Sequence, residues 1–526
     1  MAEKLSLNLL KSIADDGVDN ATRTRVALED DAEWEIYPKS VNTLEGSYWF
    51  IARDGKVKAL WFASPEDEPA IVGEYEGEQI ATDADDISSL KKCPLSHANA
   101  EIMREQYDYT SPQLIGINNS YGLGDRLGIA NPAHLRAIQI TDLKPVLAQQ
   151  SIREMERTNR TPDEVMDVAT WSVLQEGYTG GFGSDADHLK TPEDIDYTIA
   201  AGFTMFTIDP GDHVNNEADT LPVATLEQEV QGLNWTELED DYESAITRYS
   251  DKTIEVDSTF SLNPSREDTL RAFTKYGKVI AHTKKMVRYL EENYPEHPSE
   301  IELSVDETES VTQPFEHYLV VNELRRLGVE LVSLAPRFVG RFEKGIDYIG
   351  DLDEFREEYK KHLKIAEKHG PYKLSVHSGS DKFSVYEVVG SLDMGHVHVK
   401  TAGTSYLEAL RAIAKVKPDL FREIWDFSRE IYDTEKRSYH VSANVNKVPA
   451  GDECSDDELV ALFEDEQVDA RQVMHVCFGR VLSEKTDSGD YQFRDKILDT
   501  LEEYEDVHYE TLMSHFARHF EPLTSK

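Results

Sequence analysis

Three histidines stand far apart in the chain, each where a short apolar run breaks into polar residues: His188 in GGFGSDADHLK, His377 in KLSVHSG and His398 in HVHVKTAG. If such runs are strands of one sheet, their ends converge. Three imidazoles, or imidazoles with a carboxylate, then form a site for one divalent transition ion, and such ligands suit Zn, Mn, Ni, Co or Fe. A single histidine of this kind is more often a hydrogen-bonded structural residue, so the reading rests on the trio. His396 alternates with His398, so only one of the two faces inward. Asp187 adjoins His188, and Asp306 and Glu307 end the run IELSVDE. Proton transfer needs carboxylates beside the reacting carbon, tuned by burial and a nearby cation. Asp187 and Glu307 are assigned that role, and Asp306 a contact to ligand or substrate. The competing role for these acids is to orient the ligating histidines from behind. Arg126, Lys190, Arg337, Lys382 and Lys400, with the amide of Asn118, fall at the ends of similar runs. Arginine suits a bidentate carboxylate contact and lysine supplies a mobile point charge. Their alternative use is to balance the acids through ion pairs. The chemistry in view is metal-assisted proton transfer on a small anionic substrate.

Such a constellation needs a frame that brings distant residues to one place. From residue 111 to about 415 the runs LIGINNS, PVLAQQS, GGFGSDAD, MFTIDPG, IELSVDE, LVSLAPR, KLSVHSG and HVHVKTAG alternate with helical patterns such as TPDEVMDVATWSVLQ and DLDEFREEYKKHLKIAEKHG. Several helices open on Thr or Asp followed by acids and stop at Gly, as capping predicts. Strands alternating with helices make an α/β protein with a parallel sheet, and eight units predict a closed (β/α)8 TIM-like barrel; an open doubly wound sheet is the alternative. Catalytic residues of such a barrel lie at the C-terminal ends of its strands. Residues 1–110 alternate in the manner of a small antiparallel sheet within an N-terminal α+β region, with a hairpin at ARDGK. The acidic stretch 212–275 interrupts the alternation as a loop insertion, either a lid or a solvated decoration. Residues 416–526 form a helical C-terminal region that packs on the barrel or on a partner subunit, which leaves room for a homo-oligomer.

Composition narrows the class. Lys and Arg total 55 against 101 Asp and Glu, a net charge of -46 that repels nucleic acid and anionic membranes. The dense carboxylate shell fits either a salt-adapted source or a merely acidic surface. No run approaches the roughly 18 apolar residues of a membrane helix, and the N-terminus lacks the pattern of a secretory signal. Cys93, Cys454 and Cys477 are scattered and form no CxxC pair, so no disulfide framework is indicated and a reducing cytoplasm is expected. GLGDRLG lacks the Lys-Ser/Thr of a phosphate-binding loop and the spacing of a dinucleotide fingerprint.

The segments IGINNSYGLGDRLGIA, SDADHLKT, SVDETES, SLAPRFVG with EKGIDYIGDL, LSVHSGSDKFSVY and HVHVKTAGTSYLEALR span most of residues 114–411. Together they resemble the tagaturonate epimerase family, enzymes that interconvert tagaturonate and fructuronate. The resemblance implies a barrel, a bound divalent metal and ketohexuronate substrates. It implies His188, His377 and His398 as metal ligands, Asp187 as base, and a carboxylate of the Asp306–Glu307 pair as acid partner. The epimerised carbon of these acids is one removed from the position beside the ketone, so simple enolisation does not make its proton acidic. Retro-aldol cleavage, rotation and re-closure, assisted by the metal, is the favoured route; direct or hydride-type routes are the alternative and would need a different activation, for which no nicotinamide-binding motif is present. The same groups would also suit a metal-dependent sugar-acid aldolase or isomerase, and a non-catalytic sugar-acid binding protein is the reading from another class.

Overall fold

The N-terminal sheet follows from strict alternation in two neighbouring strands, Ser47–Asp54 and Val57–Ser64, joined at Gly55 with φ 55°. Phe50, Ala52 and Trp61 turn to one face and pack with Leu10 and Ile13 of the Leu7–Asp16 helix. Trp49, Ile51, Leu60 and Phe62 turn to the other and pack on Met103, Trp171 and Leu174. The period of two thus gives the sheet two buried faces, one of them seated on the next part of the molecule. The chain is described here from a computed structural model covering residues 3–16, 23–28, 32–44, 46–66, 69–306, 308–392 and 396–524.

Eight parallel strands close into a barrel: Ser120–Leu123, Lys144–Ser151, Gly183–Leu189, Met205–Ile208, Glu300–Ser304, Ser333–Ala335, Lys373–Val376 and Val397–Thr401, the last pairing with the first. Residues facing the helices supply the main core, among them Tyr121, Leu147, Ala186, Phe206, Leu303, Leu334, Leu374 and Val399. The first strand is not LIGINNS. Leu114 and Ile117 are exposed, and the Glu300 carboxylate accepts the backbone N–H groups of Ile115 and Gly116, so that stretch is a loop beneath the barrel. The strand itself reads SYGL, its outward Tyr121 and Leu123 alternating with Ser120 and Gly122.

The insertion carries helices Val223–Gln231 and Tyr242–Tyr249 and the ribbon Ile254–Glu255/Ser261–Leu262. Leu226, Val230, Ile246 and Tyr249 join the main core, so the insertion packs into the outer wall around the Arg266–Asn293 helix. The C-terminal helices build a second core with the Thr404–Val416 helix, centred on Trp425, Phe463, Met474 and Phe478. The Glu505–Phe520 helix returns to the barrel, where Tyr509, Phe516 and Phe520 join the main core. Among the described residues no helix is long and apolar enough to cross a membrane.

Candidate active site

The barrel interior is charged where branched aliphatic residues usually fill it. Lys400 of the last strand is buried, and its Nζ lies 2.6 Å from Asp185 Oδ2, 2.9 Å from Asp187 Oδ1 and 2.7 Å from Glu302 Oε1. It also donates to Thr207 Oγ1 at 2.6 Å. Burial works against the ammonium, but the three carboxylates hold Lys400 charged, well above the ordinary lysine range. Burial raises Asp185 to about 6 against the pull of Lys400. Burial also opposes ionisation of Glu302, yet Lys400 and His377 hold it well below its usual range.

A break in strand geometry exposes Asp187 and His188 together. In regular pleating they would face opposite sides of the sheet. Pairing between the third and fourth strands shifts register between Ala186 and Leu189, and His188 adopts a left-handed φ of 56°. This bulge re-aims the side chains at the barrel mouth. His188 Nδ1 lies 3.2 Å from Asp209 Oδ2, and His188 Nε2 lies 3.7 Å from Asp187 Oδ2. His377 stands across the mouth, its ring centroid 5.4 Å from that of His188. Its Nε2 is 2.6 Å from Glu302 Oε1 and its Nδ1 3.2 Å from Asp306 Oδ1. Burial pushes the imidazole down, but Asp306 and Glu302 carry it up to about 9. Asp187 and Asp306 resist burial because His188, His377 and, for Asp187, Lys400 keep both carboxyls well below the usual range. Asp187, His188 and His377 each offer a ligand atom, all within 4.8 Å of one another.

The other expected site residues divide. Arg126 lines the mouth with one edge held by Glu154, Nε at 2.8 Å and Nη2 at 2.7 Å, and its guanidinium lies 3.6 Å from the Phe478 ring centroid. Its Nη1 is buried without a hydrogen-bond partner among the described residues. His398 sits lower in the barrel, bonded to Ser120 Oγ at 2.9 Å, and burial keeps its imidazole neutral. It lies outside the Asp187–His188–His377 group because Lys400, two residues on, occupies the inward position nearer the mouth. Asn118 precedes the first strand at the opposite end of the barrel, exposed and bonded to Ile115 O, and the misplaced strand is the reason for its assignment to the rim. Lys382 is fully buried and donates to the carbonyls of Glu343, Ile346 and Ser380, pinning the 343–346 loop. Lys190 pairs with Asp212 at 3.1 Å and does not line the mouth. Arg337 also stands outside the lining, its Nη1 3.5 Å from Asp306 O. Glu307 lies outside the described residues.

The mouth also gathers groups that the strand-end reading passed over. Glu302 lies inside a strand rather than at its end; a charge between Ile301 and Leu303 is the signal it leaves. Gln149, Arg153 and Lys344 line the cavity, and so do Tyr439 and His475 of the C-terminal region. Lys344 donates to Ser378 Oγ at 2.6 Å. His475 is buried and neither ring nitrogen has a partner among the described residues. It approaches Gly403 so closely that a Cβ there would lie 1.8 Å from its Cε1. No residue of the insertion lines this cavity.

Residues 37–523 match a family described as tagaturonate epimerase. A protein of Thermotoga maritima named tagaturonate/fructuronate epimerase is 41% identical over 491 residues, covering 93% of this chain and 97% of its own. The native crystal structure of fructuronate-tagaturonate epimerase from Cohnella laeviribosi superposes with a TM-score of 0.85 at 37% identity, over 93% of this chain and 96% of that one. A crystal form of the same protein with two glycerols matches equally, at a TM-score of 0.85 over 94% of this chain and 97% of that one.

Proposed function

The chain belongs to the tagaturonate epimerase family and is an isomerase-class enzyme, and from that premise we propose that it interconverts D-tagaturonate and D-fructuronate with one divalent metal ion at the barrel mouth. The observation that carries the reading is the juxtaposition of Asp187, His188 and His377 beside a charged barrel interior. The donor set fits a divalent ion on charge as well as chemistry. Asp185, Asp187, Asp209, Glu302 and Asp306 gather around one lysine, Lys400, and two imidazoles. Buried carboxylates in such excess call for further positive charge. His188 and His377 would hold the ion together with a mouth carboxylate, and Asp209 fixes the His188 ring from behind. When bound, the metal supplies Lewis-acid polarisation of the substrate's ketone and hydroxyl oxygens.

The chain's own residues do the rest. Arg126, held on Glu154 with Nη1 unpartnered among the described residues, receives the substrate carboxylate, and Lys344 and Arg153 add charge at the entrance. Asp187, kept ionised by Lys400, accepts the proton of the hydroxyl on the carbon to be inverted. The bond from that carbon to its neighbour beside the ketone then breaks, and its electron pair is taken up by the ketone half. The aldehyde half, still tethered through its carboxylate, rotates to present its other face. The bond re-forms, and Asp187 returns the proton to the new hydroxyl. Asp306, 3.2 Å from His377, is the second proton-transfer group among the described residues; Glu307 is the alternative partner. The route moves no net electrons and so needs no redox cofactor.

The reading is tested by incubating metal-reconstituted enzyme with fructuronate and resolving the products by chromatography. Tagaturonate is expected, lost on chelation and restored by metal. No conversion by the metal-loaded protein in either moderate or high salt would overturn it. Release of trappable three-carbon fragments in place of the epimer would make the chain an aldolase.

A further inference from the structure

A cavity of about 420 Å³ lies between the insertion and the Arg266–Asn293 helix, away from the mouth. Its volume is that of a small-molecule site. The helix gives it Lys278, His282, Lys285 and Arg288 at spacings of about one turn, with Lys284 beside them. The insertion supplies Leu233, Asn234, Glu237 and Leu238 as the opposite wall, and His213 closes one end. A Cβ at Gly277 would lie 2.6 Å from Leu233 Cδ1, so the absent side chain lets the two walls meet.

Positive charge exceeds negative charge here, in a protein of net charge -46. Glu237 is the one carboxylate in the lining. Lys284 is satisfied by Glu239 at 2.6 Å, and Arg288 by Glu291 at 3.1 Å and Leu327 O at 3.2 Å. Lys278 and Lys285 make no ion pair among the described residues. The His213 and His282 rings stack 4.2 Å apart at 27°, and His282 Nε2 is buried with no partner among the described residues. Burial, with smaller contributions from His213 and Lys285, holds His282 down at about 4.

We propose that this cavity is a second binding site, taking a small phosphorylated metabolite whose phosphoryl group lies between Lys278, Lys285 and the His213–His282 stack. The donors decide for phosphate over carboxylate. A planar carboxylate is best met by an arginine fork, and the one arginine present is already engaged. A tetrahedral group with three acceptor oxygens meets separate point donors such as two lysines and one imidazole N–H at once. The site is joined to the mouth through the chain. His213 ends the Gly211–His213 turn, which begins two residues after Asp209, the partner of His188. Occupancy therefore bears on the orientation of His188; this link, unlike the site itself, rests on the proposed epimerase function.

The test is calorimetric titration of the intact protein at fixed ionic strength with glucose 6-phosphate, inorganic phosphate and citrate. Glucose 6-phosphate is expected to bind once per chain, more tightly than either of the others. Affinity should fall about tenfold, or about 1.4 kcal/mol, in the Lys278→Gln/Lys285→Gln variant. It should rise about twofold in Glu237→Gln, where a like charge is removed from the ligand's vicinity. The paired opposite shifts separate a local effect from misfolding. The His282 Cε1–H resonance should move on saturation in the wild type and stay still in the double-lysine variant. Absent saturable binding, binding indifferent to these substitutions, or inorganic phosphate or citrate binding as tightly as the sugar phosphate would each overturn the proposal. Fructuronate turnover with and without the sugar phosphate tests the link. An unchanged rate with binding intact refutes the link and leaves the site standing.

Discussion

Among the described residues two clusters pair histidines with aspartate closely enough to hold a metal: Asp187, His188 and His377 at the barrel mouth, and Asp381, His515 and His519 beneath the C-terminal helix. Their surroundings are opposite. Asp381 faces the Arg471 guanidinium at 3.0 Å and His515 Nε2 at 2.6 Å. Glu408, 3.3 Å from His515 Nδ1, has Arg411 beside it at 3.3 Å. His519 Nδ1 is bonded to Tyr121 OH at 2.6 Å. Two carboxylates thus meet two arginines, the charges balance, and the cluster is sealed. At the mouth five carboxylates share Lys400 and two imidazoles, and the group opens on a cavity. Proximity of donors is common to both. Charge balance and access distinguish a site from a strut.

Neutralising the aspartate in each cluster should break them in different ways. Asp187→Asn removes the proton acceptor while Lys400 keeps Asp185 and Glu302, so the fold should hold and kcat should fall about 10²–10⁴-fold. Initial rates beside a thermal melt check this; a kcat within a factor of a few of wild type would remove Asp187 from the chemistry. Asp381→Asn leaves Arg471 buried without its counter-charge, and loss of one partner of such a pair costs about 3–5 kcal/mol. Denaturant unfolding should show that loss, with turnover per folded molecule unchanged.

Metal content is the next discriminator. His188→Ala/His377→Ala should abolish retention of one divalent ion per chain after desalting, measured by elemental analysis. His515→Ala/His519→Ala should retain it. Loss from the second variant alone would exchange the roles of the two clusters.

The sequence made the mouth legible in part, and the reason lies in where charges interrupt apolar runs. Asp187 and His188 lie in the last residues of a recognisable strand and Asp306 and His377 just past theirs, so the barrel assumption carried them to one rim. His398 and Lys400 share a strand and a face, and sequence alone does not say which of the two stands nearer the mouth. Asn118 was carried to the wrong end because LIGIN looks more strand-like than SYGL, whose inward residues are small or polar to suit a charged interior. Lys382 was legible as a charge after a strand but not as a donor to three carbonyls, which depends on the 343–346 loop. Tyr439 and His475 gave no signal, since the helical patterns around them read as ordinary amphipathic packing, and Tyr439, just past the Lys436–Ser438 turn, and His475 reach the mouth only through tertiary contact.

Acid should separate the clusters again, by smaller amounts. Burial holds His134 at about 3 and, against the pull of Asp381, His519 at about 4. The unfolded chain therefore binds protons first as pH falls. The contribution of His134 and His519 is full above about 6.5 and should decline from there toward the folded-state values, by roughly 2 kcal/mol per histidine at pH 5. Asp381 is depressed well below its ordinary range, with Arg471 and His515 overcoming its burial. Its contribution is full above the unfolded value of about 3.9 and is lost below it. Calorimetric melts from pH 7 to 3 should show both stages in the wild type and a smaller acid stage in Asp381→Asn, where Asp187, Glu302 and Asp306 still titrate. A melting temperature flat from pH 7 to 5 would contradict the assignment of these buried imidazoles as neutral.

The smallest expected effect asks whether the C-terminal region belongs to the mouth or only borders it. Tyr439 lines the cavity and its hydroxyl accepts from Arg157, whose guanidinium also lies 5.3 Å from the ring centroid. Tyr439→Phe keeps the ring and removes the hydroxyl, leaving Arg157 partly unanchored beside the entrance. A hydrogen bond of this kind to a charged group contributes about 1.5–3 kcal/mol when buried and less where water can replace it. Tyr439 is only half-buried. KM for fructuronate should therefore rise about three- to tenfold with kcat little changed, the pattern of a group that binds ground state and transition state alike. A fall in kcat at constant KM would instead place the tyrosine hydroxyl among the groups that act on the reacting carbon, and the C-terminal region would then be part of the catalytic machinery rather than its wall.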